Sequence, residues 1–211
     1  MRFQDRSQAG QVLARALERY KGQPDMLVLA LPRGGVPVAY EVATYLNLPL
    51  DVFMVRKLGV PGNEEFAMGA IASGGIRALN TSVIRQLNIP QSTIDAVIAR
   101  EHEELQRREH LYRGDKPLLN AENRTVIVID DGLATGSTMK AAIAALRLQN
   151  PAKIIVAVPT APAETCDELQ YQADEVICPV TPAPFYAVGQ CYENFEQTTD
   201  AEVTELIGRS A

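Results

Sequence analysis

The sequence is short of the features that mark zinc-binding, membrane-spanning, secreted or nucleic-acid-binding proteins. Its three cysteines, Cys166, Cys178 and Cys191, stand 12 and 13 residues apart, with no Cys-x-x-Cys pair and neither histidine close by. That spacing excludes a zinc site built on cysteine pairs and leaves reduced, buried thiols as the reading. Long apolar runs are also missing. The longest stretch free of Asp, Glu, Lys and Arg, Val176 to Tyr192, is interrupted by Pro179, Pro182, Pro184 and Gly189, which excludes a spanning helix. The opening Met1-Arg2-Phe3-Gln4-Asp5-Arg6 has no apolar core of a signal peptide, so a cytoplasmic location is expected. No stretch gathers five basic residues, and the net charge is −6 with a pI near 5.0. Binding to nucleic acid through phosphate neutralisation is therefore not expected. Glycine and proline, 14 and 13 of 211 residues, are too few for a collagenous or low-complexity chain.

What is present is an ordinary globular balance, 46% apolar and 22% charged, in a length that suits one domain over 1–211. A helix is expected from Ser7 to Tyr20, where Val12, Leu13, Ala16, Leu17 and Tyr20 share one face and Asp5 with Gln8 resembles a capping box. Five short runs follow with little polar alternation: Met26 to Leu31, Leu50 to Val55, Thr125 to Ile129, Ile154 to Val158 and Glu175 to Cys178. Such runs read as strands buried on both faces. Helical patterns lie between them at Val36 to Leu46, Gly136 to Gln149 and Ala163 to Tyr171. The alternation predicts an α/β fold, a mainly parallel twisted sheet flanked by helices, with ligands outside the carboxyl ends of the strands. Two segments break it. Residues 56–79 carry Gly59, Gly62, Gly69, Gly74 and Gly75 and read as a mobile loop with a hairpin at Gly74-Gly75. Residues 91–112 read as one long helix with a thin apolar stripe of Ile94, Val97, Ile98, Leu105 and Tyr112, suited to a flap or an oligomer contact. Within it, Glu103/Arg107 and Glu104/Arg108 are spaced for ion pairs along a solvated face.

The strongest chemical signal is Val126-Ile127-Val128-Ile129-Asp130-Asp131-Gly132-Leu133-Ala134-Thr135-Gly136-Ser137-Thr138. An apolar strand runs into two carboxylates, then a loop of hydroxyls and small residues, then a helix. Unpaired amides and the positive dipole end at a helix start favour an anion, and Gly136 lets the backbone come close to it. Thr135, Ser137 and Thr138 can donate to phosphate oxygens, while Asp130 and Asp131 can accept from sugar hydroxyls. The combination suits a sugar phosphate. The plain alternative is that Asp130 starts a turn and Ser137 and Thr138 cap the helix. A Walker A loop fails, because three residues separate Gly132 from Gly136 and Ser137 follows, and no Gly-x-Gly-x-x-Gly occurs around Gly34-Gly35.

Residues 126–138 resemble the signature of the type I phosphoribosyltransferases, departing from it at Gly132, where the family usually has an aliphatic residue or Ser. The resemblance implies that Asp130 and Asp131 bind the ribose hydroxyls of phosphoribosyl pyrophosphate (PRPP). It implies also that Ala134, Thr135, Gly136, Ser137 and Thr138 hold the 5-phosphate. Mg²⁺ would arrive on PRPP, arranged indirectly by the acidic pair rather than by a direct protein ligand. Leu31-Pro32-Arg33-Gly34-Gly35 resembles the family's pyrophosphate loop. From the residues alone, paired glycines before a helix expose amides and Arg33 offers a fork of donors, though a simple strand-to-helix turn with a surface Arg has the same pattern. Arg56-Lys57 with 59–75 resembles the flexible catalytic loop, which would close over pyrophosphate and exclude water. Solvated charges at a strand end are the alternative, and Glu64 and Glu65 suit solvation better than a part in the closed loop.

The stretch 179–211 occupies the place of the family's hood, where Phe185 and Tyr186 would stack on a base or else fill the core. The Asp that 6-oxopurine enzymes place after the hood Gly is not matched, since Gln190-Cys191-Tyr192 follows Gly189, so purine specificity is not implied. His102 and His110 read as exposed helix residues, because Gln106 stands where a metalloprotease helix needs its second His. No Gly-x-Ser-x-Gly occurs, which removes a serine hydrolase. The resemblance implies transfer of the phosphoribosyl group from PRPP to a nitrogenous base or related acceptor, as in nucleotide salvage. It implies small-molecule substrates, no nucleic-acid or membrane partner, and room for a homo-oligomer. A non-catalytic PRPP- or nucleotide-binding regulator, a sugar-phosphate hydrolase, or transfer to a non-base acceptor would share the same fold.

Overall fold

The computed structural model describes residues 2–210, with the side chains of Glu64 and Glu65 outside the described set, so the reading of those two acids lies outside it too. The chain opens with α1 (Arg6–Ala16) and a single turn at Glu18–Tyr20, then β1 (Met26–Ala30), α2 (Gly35–Leu46) and β2 (Leu50–Val52). Three strands follow, β3 (Val55–Val60), β4 (Asn63–Ala72) and β5 (Ile76–Leu79), and then α3 (Thr81–Gln86) and α4 (Gln91–Arg113). The alternation resumes with β6 (Thr125–Ile129), α5 (Ser137–Arg147), β7 (Lys153–Ala157), α6 (Ala163–Gln170) and β8 (Glu175–Ile177). A turn at Val188–Cys191 and α7 (Asp200–Arg209) complete it.

The main sheet is parallel throughout, in the order β2-β1-β6-β7-β8. Successive strand residues point to opposite faces, and both faces are covered. Val28, Ala30, Ile127, Ile129, Ile155 and Ala157 pack with α1, α2, α4 and α7. Leu27, Leu29, Val126, Val128, Ile154 and Val156 pack with α5 and α6. The five expected strands and the helices between them are thus in place, with ends shifted by a few residues. From β1 the chain runs outward to β2 and later returns to β6 on the other side of β1, where Ala30 and Ile129 are register partners. That reversal opens a crevice at the carboxyl ends of β1 and β6, the point where α/β sheets take their ligands.

Two expectations are corrected. Residues 56–79 are not an irregular loop but most of an antiparallel three-stranded sheet, β3-β4-β5. The glycines distract from an alternation that buries Leu58, Met68 and Ile71 in the same core as α4. The hairpin at Gly74-Gly75 stands, with both residues at positive φ. Helix α4 is not a detached flap: its stripe of Ile94, Val97, Ile98, Leu105 and Tyr112 is buried within this chain. On its outer side Glu104 takes both Arg107 and Arg108, and the hydrogen bonds from those two guanidiniums hold its carboxyl down at about 2. His110 is exposed as read, whereas His102 is half-buried.

The C-terminal stretch is likewise more than a hood. Thr199 caps α7 by accepting from Glu202 N, and Val203 and Ile207 are buried in the core shared with α2 and α4. The three thiols are free, Cys166 and Cys191 buried and Cys178 half-buried. No helix among the described residues is long and apolar enough to cross a membrane.

Candidate active site

At the crevice, the loop leaving β6 presents its acids to the loop leaving β1. A Cβ on Gly35 would lie 2.7 Å from Ile129 O and 2.9 Å from Asp130 Cα, and one on Gly34 would collide with the Asp131 carboxylate. The paired glycines therefore serve the close approach of two backbones. This corrects the expectation that both expose amides, because Gly35 N already donates to Leu31 O at 3.1 Å. Gly132, the departure from the family pattern, has a similar cause: a Cβ there would come within 2.5 Å of Val188 Cγ1 and 3.0 Å of Thr160 Cγ2.

Asp130 Oδ1 accepts from Asp131 N at 2.8 Å, and Asp131 Oδ2 accepts from Arg6 Nε at 2.8 Å. Burial, and then the neighbouring charge of Asp131, push the Asp130 carboxyl well above the usual carboxylate range. Burial raises Asp131 as well, against the opposing pull of Arg6. Two acids so close in low dielectric titrate as a pair that retains a proton more readily than free carboxylates. Tyr192, fully buried, donates its hydroxyl to Asp131 O at 2.5 Å, and burial raises its phenol above the ordinary value. Tyr192 stacks on Phe195, with ring centroids 4.9 Å apart, and the Arg6 guanidinium lies 4.2 Å from the Phe195 centroid.

Beyond the acids, Gly136 caps α5 in the left-handed conformation (φ 68°) with no side-chain bond of its own, and of the first-turn amides Ser137 N donates, at 3.4 Å, to Thr135 Oγ1, a neighbour on the same loop, leaving the next amides to face a ligand. That geometry disfavours the capping alternative for Ser137 and Thr138. Ala134, Thr135, Ser137 and Thr138 are all exposed along a recess of about 200 Å³ that also includes Asp130. The loop is pinned from behind: Thr165 donates its hydroxyl to Ala134 O at 2.7 Å, and Leu133 N donates to Thr160 O at 3.0 Å.

The basic residues divide. Lys57 Nζ lies 3.4 Å from Ser137 Oγ, beside the start of α5. Arg56 is turned to α4, with Nε 2.6 Å from Glu101 Oε2. Adjacent strand residues face opposite ways, so β3 directs the two side chains apart, and the structure does not bring them together. Arg33, reached through a cis Pro32–Arg33 peptide, sits with Nη1 3.7 Å from Asp200 Oδ1. Tyr112 donates to that same oxygen at 2.6 Å, and burial together with this bond lifts its phenol to about 12. In the hood, Phe185 packs against the cluster of Phe3, Cys191 and Tyr192, and Tyr186 is 83% exposed, so neither forms a ring platform in the crevice.

Sequence reading missed Arg6, Tyr192 and Asp200, each of which reaches the crevice from an end of the chain. No local pattern signals them, although the Thr199-x-x-Glu202 box would have marked the start of α7 and with it Asp200.

A family model for the phosphoribosyl transferase domain matches residues 6–194. Two strains of Mycobacterium tuberculosis, CDC 1551 and H37Rv, carry a protein provisionally named a phosphoribosyl transferase that is 45% identical over 208 residues. The match covers 99% of this chain and 47% of the relative, so the chain spans about half the length of the curated relatives it matches. A crystal structure of TT1426 from Thermus thermophilus superimposes with a TM-score of 0.90 at 41% identity, covering 100% of both chains. A shorter stretch of 65 residues, 31% of this chain and 36% of the relative, is 38% identical to the bifunctional protein PyrR of Haemophilus ducreyi.

Proposed function

The chain belongs to the phosphoribosyl transferase family, and on that premise we propose that it transfers the 5-phosphoribosyl group of PRPP to a nitrogenous base or related acceptor. One observation carries the reading. An acidic pair and a helix N-terminus stand on one loop at the switch point of the sheet, against the glycines of a second loop. The amides of α5, with Thr135, Ser137 and Thr138, anchor the 5-phosphate, and Lys57 adds a cation there. Asp130 and Asp131 hold the ribose hydroxyls, which fixes C1 between the acceptor and the leaving group. The acceptor nitrogen bonds to C1 through its lone pair while the C1–O bond breaks with its electrons on pyrophosphate. The N–H proton passes to solvent. Arg33, beside Gly34 on the β1 loop, offsets the departing charge by exchanging its contact with Asp200 for pyrophosphate oxygens.

Among the described residues no three His, Cys, Asp or Glu side chains gather as a metal cage. Asp130 and Asp131 would meet a Mg²⁺ carried in by the substrate, and the metal would offset the charge on pyrophosphate.

A second reading, a PRPP-binding regulator without turnover, draws on the engagement of Arg33 with Asp200 and of Arg56 with Glu101. Titration calorimetry with PRPP, with and without Mg²⁺, followed by a pyrophosphate-release assay across a panel of bases, separates the two. Binding with release supports the transferase. Binding without release for every acceptor supports the regulator, and absence of binding overturns both.

A further inference from the structure

Arg33 and its counter-ion sit on elements of unlike stiffness. Asp200 is the first residue of α7, which Thr199 caps and which Val203 and Ile207 anchor in the core. Tyr112 of α4 is 3% exposed and donates its hydroxyl to Asp200 Oδ1 at 2.6 Å. The next residue, Arg113, holds that end of α4 in place, with Nε 3.1 Å from Asp51 Oδ1 and both side chains buried. Arg33 stands instead on the turn between β1 and α2, with 32% of its side chain exposed. The carboxylate is therefore fixed by two helices, and the long guanidinium side chain is the partner able to move. One turn back along α4, Arg108 and its neighbour Arg107 are both held by Glu104. Among the described residues Arg33 is the one cation within 4 Å of Asp200. Its Nη1 stands 3.7 Å from the oxygen that Tyr112 already occupies, an ion pair without a hydrogen bond. A contact of that kind, on a carboxylate 50% exposed, is weak and readily exchanged.

We propose that Asp200 is a positioning residue acting through Arg33: it holds the guanidinium at rest beside the crevice, yields it to pyrophosphate, and reclaims it as pyrophosphate leaves. The assignment rests on the transferase reading given above, in which Arg33 meets the leaving group, and adds to it the means of release. Pyrophosphate gathers charge as the C1–O bond breaks, and a cation without another partner would go on holding the product. A fixed carboxylate beside that cation offers the alternative, so the net grip on pyrophosphate is the difference between two contacts of Arg33. Tyr112 keeps that difference small. By donating to Oδ1 it takes up that oxygen and leaves Arg33 an ionic contact alone, which opens more easily than a hydrogen-bonded pair.

The test is calorimetric titration of the whole chain with inorganic pyrophosphate and Mg²⁺, for the wild type, Asp200→Asn, Arg33→Ala and the double variant. Asn keeps an oxygen that can accept from Tyr112 and removes only the charge. Asp200→Asn is expected to bind pyrophosphate about two- to fivefold more tightly at low ionic strength, the scale of a half-exposed ion pair, whereas a merely structural role would weaken binding. The ratio should approach one near 1 M salt, where the Debye length is about 3 Å. It should also approach one when Arg33→Ala is already present. In turnover the variant should lower KM for PRPP by a similar factor without raising kcat. Asp200→Ser removes the same charge and carries the test if the Asn variant folds poorly. Weaker or unchanged pyrophosphate binding, or a gain that persists without Arg33 or at high salt, overturns the proposal. If the wild type still releases pyrophosphate in turnover, that failure leaves the transferase reading intact. Tighter binding that depends on Arg33, with no pyrophosphate released from any acceptor, removes the transferase reading and leaves the exchange between Arg33 and Asp200 standing.

Discussion

Arg6 Nε lies 2.8 Å from Asp131 Oδ2, with only 13% and 14% of the two side chains exposed, so the first helix of the chain holds the second acid of the β6 loop. Removing the guanidinium would leave a buried carboxylate beside a second one. Arg6→Met should destabilise the protein by about 3 kcal/mol, the lower end of the range for breaking a buried pair, because some water reaches this site. Urea denaturation of Arg6→Met, Asp131→Asn and the double variant checks this: the double variant should be less destabilised than the sum of the singles, and strict additivity would refute the pairing.

Asp130 behaves in the opposite sense. Its folded carboxyl titrates above the unfolded one, so between those values the folded chain keeps a proton that the unfolded chain has lost. Stability therefore falls as pH rises through that window, which opens near the ordinary carboxylate value of about 3.9. Asp130→Asn, whose amide oxygen can still accept from Asp131 N, should raise the melting temperature at neutral pH by about 2–4 °C, the equivalent of 1 kcal/mol in a domain this size. The gain should vanish at acid pH. PRPP affinity should collapse in the same variant, and a melting curve that shows no pH-dependent gain would refute the shift.

Thr135 is exposed, with its hydroxyl 3.4 Å from Ser137 N. Thr135→Ala should weaken PRPP binding by about 1–3 kcal/mol while stability changes by less than about 0.5 kcal/mol. Paired calorimetry and thermal melts test it, and unchanged affinity would move the 5-phosphate elsewhere.

The opposed directions of Arg56 and Lys57 predict different phenotypes. Lys57→Ala should reduce kcat/KM for PRPP with little change in stability. Arg56→Ala should act mainly on stability, by about 1–3 kcal/mol, because Glu101, whose side chain is 12% exposed, loses a partner. Equal kinetic losses in the two variants would restore them to a common role.

Gly35→Ala places a methyl against Ile129 O and Asp130 Cα, both backbone atoms that cannot swing away. A loss of about 1–3 kcal/mol is expected, the usual cost of overpacking, together with weaker PRPP binding as the two loops part. Wild-type stability and affinity in this variant would contradict the contact.

Much of this was legible in the chain itself. The five Val- and Ile-rich runs signalled buried parallel strands because β1, β6 and β7 are covered on both faces and need no polar alternation. The Asp130–Thr138 loop was legible because a helix start, a glycine and hydroxyls in sequence are local chemistry. The meander was harder to see. Gly59, Gly62, Gly69, Gly74 and Gly75 suggested a mobile loop, yet Gly69 stands where a Cβ would meet Ala78 O at 2.6 Å on the adjacent strand. Glycine marked close strand pairing there. Arg6, Tyr192 and Asp200 were invisible for another reason: their partners Asp131 and Arg33 are far away along the chain, and periodicity carries no information about such pairs.

Phe3 N donates to Cys191 O at 2.7 Å and Glu193 N returns a bond to Phe3 O at 2.8 Å, so the wall of the crevice is a splice of two segments separated by nearly the whole chain. Closing so large a loop costs more chain entropy than the shorter closure that pairs β1 with β6, so this splice is expected among the last contacts to form. A refolding chain should therefore regain its parallel sheet before Arg6 is brought onto Asp131.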